Sequence, residues 1–191
     1  MRIVGGKFKG HSIAPPHGAA TRPTTDRVRE SIFNILAHGI VGLEIEGARV
    51  LDLFAGTGAM GLEAISRGSR FCQFVDDSAE ARGLIRKNAD ALGVIGLAKI
   101  WRRDAADLGP CAPQPGFDLV FADPPYGKGL GEKALRSLVA GQWLNPGAII
   151  VLEESGKAEI APVDGLSLID ERHYGDTKVI FYRHGIAREA A

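Results

Sequence analysis

The 191-residue chain is 45% hydrophobic and 24% charged, carries no net charge, and has two cysteines, Cys72 and Cys111. That composition fits one globular domain with a core and a small appendage, and it excludes a disordered chain or a disulfide-stapled module. Apolar runs such as AIIVL are too short to span a bilayer, and the opening MRIVGGKFKG lacks a signal-like apolar stretch, so a cytoplasmic protein is expected.

The zero net charge conceals an asymmetry. Residues 1–36 hold Arg2, Lys7, Lys9, Arg22, Arg27 and Arg29 against only Asp26 and Glu30, which leaves an acidic remainder. A basic arm on an acidic body is either a footprint for a polyanion or a solvated face.

Taken in chain order, residues 2–14 alternate loosely around a Gly-Gly and predict a short hairpin. PPHGAATRPTT is a loop, and Thr24 or Thr25 can cap a helix over 26–37 with Val28, Ile32, Ile35 and Leu36 as its apolar stripe. Arg22, Arg27 and Arg29 lie off that stripe, free to face a partner. From Arg49 the period changes. RVLDLF, RFCQFV, AKIWR, FDLVFA and GAIIVLEE read as strands, with helices after the first, after the second (78–92) and after the fourth (130–140). GLSLIDERH and TKVIFYR predict an antiparallel C-terminal hairpin. Strands alternating with helices predict an α/β, doubly wound Rossmann-like fold with a mostly parallel seven-stranded sheet. The expected division is an N-terminal extension over 1–37, a catalytic body over 38–185 and a flexible tail over 186–191.

LDLFAGTGAMG contains G-x-G-x-x-G at Gly56, Gly58 and Gly61, after a strand and opening a helix, with Asp76 at the end of the next strand. This spacing satisfies a nucleotide-type cofactor fingerprint. Asp52, on the first strand, separates the candidate cofactors. An ionised carboxylate there repels a pyrophosphate but attracts the sulfonium and ammonium end of S-adenosylmethionine; alternatively it turns away and caps a backbone amide. Asp104, after the third strand, is placed either to touch the adenine amino group or to cap a helix.

DPPY, residues 123–126, closes the fourth strand, which neighbours the first in such a sheet, so Asp123 is expected to face the cofactor crevice. The exocyclic amine of a base is a poor nucleophile because its lone pair is delocalised. Two acceptors gripping its N–H bonds aim that pair at a methyl group. Asp123 supplies one acceptor, the Pro124 carbonyl the other, Pro125 stiffens the bend, and Tyr126 offers a stacking face. In-line positioning then supplies most of the rate. An ordinary Pro-Pro turn is the plain alternative.

RIVGGKFKGHSI, TRPTTDRVRESIFNIL, VLDLFAGTGAMGLEAISRG and VFADPPY, in that order, resemble the bacterial 16S ribosomal RNA (guanine(966)-N(2))-methyltransferases, within the class I S-adenosylmethionine-dependent methyltransferases. The likeness runs from about residue 2 to 183, and the Arg22–Asn34 run is its most specific part. DPPY is shared with other base-amino methyltransferases.

The resemblance implies transfer of a methyl group from S-adenosylmethionine to a guanine N2 amine, with no metal. It implies a target-base site of Asp123, Pro124, Pro125 and Tyr126, and a cofactor site lined by Asp52, Phe54, Ala55, Gly56, Gly58, Asp76 and Asp104, with Asp77 and Ala105 beside them. Asp76 is favoured over Asp77 for the ribose. It also implies a partly assembled small subunit as substrate, including ribosomal protein contacts. Lys7, Lys9, Arg22, Thr24, Arg27 and Arg29 are expected at the RNA, with Arg22 and Thr24 able to close over the active site, and a monomer is expected. The rival readings are an amino-directed methyltransferase on DNA or protein, an NAD-dependent oxidoreductase, and a non-catalytic RNA-binding factor.

Overall fold

A computed structural model describes residues 1–16 and 25–185. Arg22 and Thr24, and the tail over 186–191, lie outside the described residues. The elements run α1 (Asp26–His38), β1 (Arg49–Leu53), α2 (Ala59–Ser66), β2 (Phe71–Val75), α3 (Ala79–Ala91), β3 (Ala98–Trp101), β4 (Phe117–Ala122), α4 (Leu130–Ala140), β5 (Leu144–Ser155), β6 (Leu166–Tyr174) and β7 (Thr177–His184).

One seven-stranded sheet has the order β3-β2-β1-β4-β5-β7-β6. The first five strands of that order are parallel, and β7 runs antiparallel to both β5 and β6. The strands read as near-continuous apolar runs because helices and loops cover both faces. One face packs Leu62, Ile65 and Ile85 of α2 and α3 against Phe74, Leu119 and Phe121. The other packs Leu135 and Leu138 of α4, with Trp143, against Leu51, Val120 and Ile150. Among the described residues no helix is long and apolar enough to cross a membrane.

The N-terminal extension has no core of its own. Ile3, Ile13, Ile32, Phe33 and Leu36 join the first of these clusters, and Phe33 meets Phe121 of β4 with ring centroids 5.4 Å apart. Thr25 caps α1 by accepting the Val28 amide at 3.3 Å. The expected hairpin over 2–14 is short, one antiparallel bridge of Arg2 to Ser12 with the Ile3 and Ile13 amides donating to the His11 and Met1 carbonyls at 3.0 and 3.1 Å, and between its arms Gly5 and Gly6 lean on the end of α2. The Lys7 amide donates to the Ser66 carbonyl at 2.7 Å, and a Cβ on Gly6 (φ +74°) would stand 1.9 Å from that same oxygen.

The topology decides where a ligand can sit. Strand order reverses between β1 and β4, and Leu53 is in register with both Val75 and Ala122. Phe54, Asp76 and Asp123 therefore leave the sheet side by side at its carboxyl edge, the crevice where open α/β sheets bind ligands.

Candidate active site

The loop after β1 is held by packing. Phe54 adopts φ +54°, a left-handed conformation that costs a non-glycine residue energy and is kept only where surrounding structure enforces it. A Cβ on Gly58 would meet Phe74 and Ile85 at 3.2 and 3.3 Å, and one on Gly61 would meet Phe74 at 2.4 Å and Cys72 Sγ at 2.5 Å. These two glycines exist for close helix-to-sheet contact. Gly56 differs, since a Cβ there has no neighbour nearer than 3.9 Å. Buried Asn88 of α3 braces the loop by donating to the Thr57 carbonyl at 2.9 Å, and its Oδ1 accepts the Ala14 amide at 2.8 Å.

Asp52 caps a backbone amide. It is buried beneath the loop and its Oδ2 accepts the Gly61 amide at 2.9 Å. Burial pushes its pKa up to about 8, against the pull of that hydrogen bond, and the Asp76 charge adds to the rise. It is the amide-capping member of the two readings open for it, and near neutral pH it is mostly protonated rather than an exposed anion.

A cleft at the carboxyl edge gathers Phe54, Asp76, Asp77, Asp104 and Ala105 with Pro125 of the DPPY stretch. Arg103 and Leu130 complete it, and the sequence reading missed both. Asp76 is fixed by two backbone amides, Gly56 on Oδ2 and Ser78 on Oδ1, each at 2.9 Å, and each oxygen keeps further acceptor capacity. Asp104 accepts the Ala106 amide at 2.8 Å. Arg103 donates to the Leu108 carbonyl and lies over the Trp101 ring, 5.1 Å from its centroid. Three carboxylates with the apolar Phe54, Ala105 and Leu130 make a site of acceptors around a flat wall. Those acceptors fit the hydroxyls and amino group of an adenosine, and three carboxylates against the one guanidinium of Arg103 oppose a pyrophosphate.

Beyond Pro125 the chain crosses an exposed turn to α4. Pro124 is buried, Asp123 is half-buried, and Tyr126 is 41% exposed. The Tyr126 hydroxyl donates to Glu153 Oε1 of β5 at 3.0 Å and lies 3.1 Å from Thr177 Oγ1 of β7. A phenol has one proton, so Thr177 is the donor in the second contact. Burial raises the Tyr126 pKa, with the Glu153 and Asp123 charges adding to the effect, and the phenol stays neutral. Glu153 and Thr177 were not singled out in sequence; the available signal was a carboxylate at the end of the apolar run AIIVLEE.

The basic arm divides. Lys7, Lys9 and Arg27 are exposed. Arg29 is fully buried, which corrects its place among the RNA contacts: it pairs with Asp26 at 2.7 Å and Glu63 at 3.6 Å, and donates to the Arg2 carbonyl. Glu63, also fully buried, further accepts Arg67 at 2.8 Å and the Val4 amide at 2.9 Å. Arg29 thus secures the extension to α2 and cannot reach a strand of RNA.

Comparison with known proteins places this geometry. The family model described as "Conserved hypothetical protein 95" matches residues 1–183. The Escherichia coli protein named Ribosomal RNA small subunit methyltransferase D is 39% identical over 80% of this chain and 74% of its own. The solved structure of yhhF from Escherichia coli superposes with TM-score 0.82 at 32% identity, covering 98% of this chain and 99% of that one. An S-adenosylmethionine-dependent methyltransferase from Thiobacillus denitrificans, solved with S-adenosyl-L-homocysteine, gives TM-score 0.56 at 26% identity, over 70% of this chain and 50% of that one. The chain belongs to the Conserved hypothetical protein 95 family, within the class I S-adenosylmethionine-dependent methyltransferases.

Proposed function

We propose that the protein transfers a methyl group from S-adenosylmethionine to the exocyclic N2 amine of a guanine in 16S ribosomal RNA, acting in the cytoplasm as a monomer on an assembled or partly assembled small subunit whose proteins take part in recognition. The observation that carries this reading is the acceptor-lined cleft opening onto the DPPY turn at the point where strand order reverses. The relatives named for small-subunit ribosomal RNA supply the substrate class.

Asp76, held by two amides, accepts the ribose hydroxyls, Asp77 lies at the rim, Asp104 and Ala105 bracket the adenine, and Phe54 packs against the amino-acid end. S-adenosylmethionine supplies an electrophilic methyl group when bound there. Asp123 and the Pro124 carbonyl each accept one N–H of the target amine, which turns its lone pair out of the ring plane and toward that methyl. The base, flipped from its strand, stacks on Tyr126. The nitrogen that has gained a methyl is acidic, and its proton passes to Asp123 or to water. Lys7, Lys9 and Arg27, exposed on the extension, contact phosphates; Arg22 and Thr24 are assigned to the same surface.

The test uses small subunits from cells lacking the enzyme, methyl-labelled S-adenosylmethionine, and parallel pools of DNA and protein. N2-methylguanosine in digested 16S ribosomal RNA, lost with Asp123→Ala while cofactor binding and melting temperature hold, is the expected result. Label confined to DNA or protein overturns the substrate.

A further inference from the structure

Tyr126 stands on a turn with little else to hold it. Residues 125–129 are all exposed, Gly127 and Gly129 have φ of +74° and +65°, and a Cβ on either would meet nothing within 4 Å. No packing fixes the turn at Gly127 and Gly129. What fixes the ring is its hydroxyl, gripped between the acceptor Glu153 and the donor Thr177.

Those partners come from two further strands. Glu153 is in register with Val179 and Thr177 with Ser155, so the ring reaches from the end of β4 across β5 to β7. Glu153 and Thr177 are nearly buried, at 9% exposure each, and Glu153, with Glu154 beside it, is one of two buried carboxylates that follow the apolar run of β5. Burying a carboxylate is costly, and here one of its oxygens accepts from a tyrosine on an exposed turn. The β6–β7 hairpin is itself anchored, since Tyr174 at its tip bonds Ser31 Oγ of α1 at 2.7 Å.

We propose that Glu153 and Thr177 are positioning residues for methyl transfer: they lock the Tyr126 ring as the rigid wall of the target-base site, and the antiparallel C-terminal hairpin is a working part of that site. This inference rests on the methyl-transfer reading above. Neither residue is assigned to the base or the cofactor; both meet the one phenolic oxygen of Tyr126. A stacking wall free to swing leaves the amine unaligned, and misplacement by about 1 Å can cost on the order of 100-fold in rate.

The experiment measures kcat, KM for unmethylated small subunits and S-adenosylmethionine affinity for wild type, Glu153→Leu, Glu153→Gln, Tyr126→Phe and the double variant Tyr126→Phe/Glu153→Leu, each with its melting temperature. Glu153→Leu and Tyr126→Phe are expected to lower kcat roughly 10- to 100-fold with cofactor affinity held. Glu153→Gln, which keeps an acceptor oxygen, restores most of the lost rate. The decisive result is in the cycle: in the Tyr126→Phe background, Glu153→Leu costs nothing more.

Two outcomes overturn the proposal, namely full additivity of the two substitutions or wild-type kcat in Glu153→Leu. Thr177→Val gives an independent check with little change of shape, and wild-type kcat in that variant removes Thr177 from the clamp. If the wild-type protein itself labels no ribosomal RNA, the functional reading fails, and the proposal falls with it.

Discussion

Two strand-to-helix turns stand side by side at the carboxyl edge of the sheet, and they are built on opposite principles. The turn after β1 is packed from below, where added atoms on Gly58 or Gly61 would run into Phe74, Ile85 and Cys72. The turn after β4 is open, with glycines that face no neighbour, and it depends on two prolines and one tethered tyrosine. A cofactor that is the same in every turnover suits a site set by the core. A base that must enter from a polymer suits a site set by a few hydrogen bonds. Damage to the first turn is therefore expected to register as lost stability, and damage to the second as lost rate.

The largest effect on the packed side is expected from Arg29→Ala. It leaves Glu63 buried with Arg67 as its remaining charged partner and breaks the bond to the Arg2 carbonyl. Removing one member of a buried ion pair costs about 3–5 kcal/mol, read as a lower urea midpoint. Wild-type stability together with weakened RNA binding would return Arg29 to the RNA surface.

Asp52→Asn probes the same side through pH. Its pKa is about 8 in the folded protein and about 3.9 unfolded. Between these values the folded state holds a proton that the unfolded state has lost, so wild-type stability declines as pH rises from about 4 to about 8. Asparagine mimics the protonated acid and does not titrate. The variant should gain on wild type by on the order of a few kcal/mol between pH 4 and pH 9, measured by chemical denaturation without cofactor. Parallel pH profiles would show that Asp52 is ionised in the fold.

The two turns can be contrasted by the same substitution. Gly61→Ala places a methyl 2.4 Å from Phe74 and 2.5 Å from Cys72, an overpacking that costs about 1–3 kcal/mol and strains the hydrogen bond to Asp52. Gly127→Ala meets no atom and bears only the strain of its positive φ, about 1 kcal/mol. Equal losses in melting temperature would erase the distinction.

What the sequence made legible follows the same division. FDLVFA and the helix over 130–140 stand where periodicity placed them, because apolar period and turn residues are local signals. The strand expected over GAIIVLEE begins earlier, at Leu144, because Leu144 pairs with Phe117 before a register shift, a long-range fact without local sign. Arg29 was misread because an arginine off an apolar stripe ordinarily faces water; its buried partner Glu63 lies on another helix, and only the docked extension brings them together. Asp52 was placed on the right strand, but its protonation depends on how deeply the neighbouring strands bury it, which no spacing reveals. The Tyr126 clamp joins the turn after β4 to residues of β5 and β7, and only the sheet order makes them neighbours.

The smallest effect on the fold, and the sharpest separation of arm from site, is expected of Arg27→Ala. Arg27 sits two residues from Arg29 on α1, yet it is exposed where Arg29 is buried. Its loss removes no packing, so melting temperature and S-adenosylmethionine affinity should hold. If it contacts a phosphate, affinity for the small subunit falls, and the slope of log affinity against log salt flattens by about one. Lys7→Ala and Lys9→Ala should each act the same way and add, since separate phosphate contacts release separate counterions. A drop in affinity with an unchanged salt slope would mean that α1 meets protein rather than RNA in the particle, and would move the basic arm's partner from the nucleic acid to a ribosomal protein.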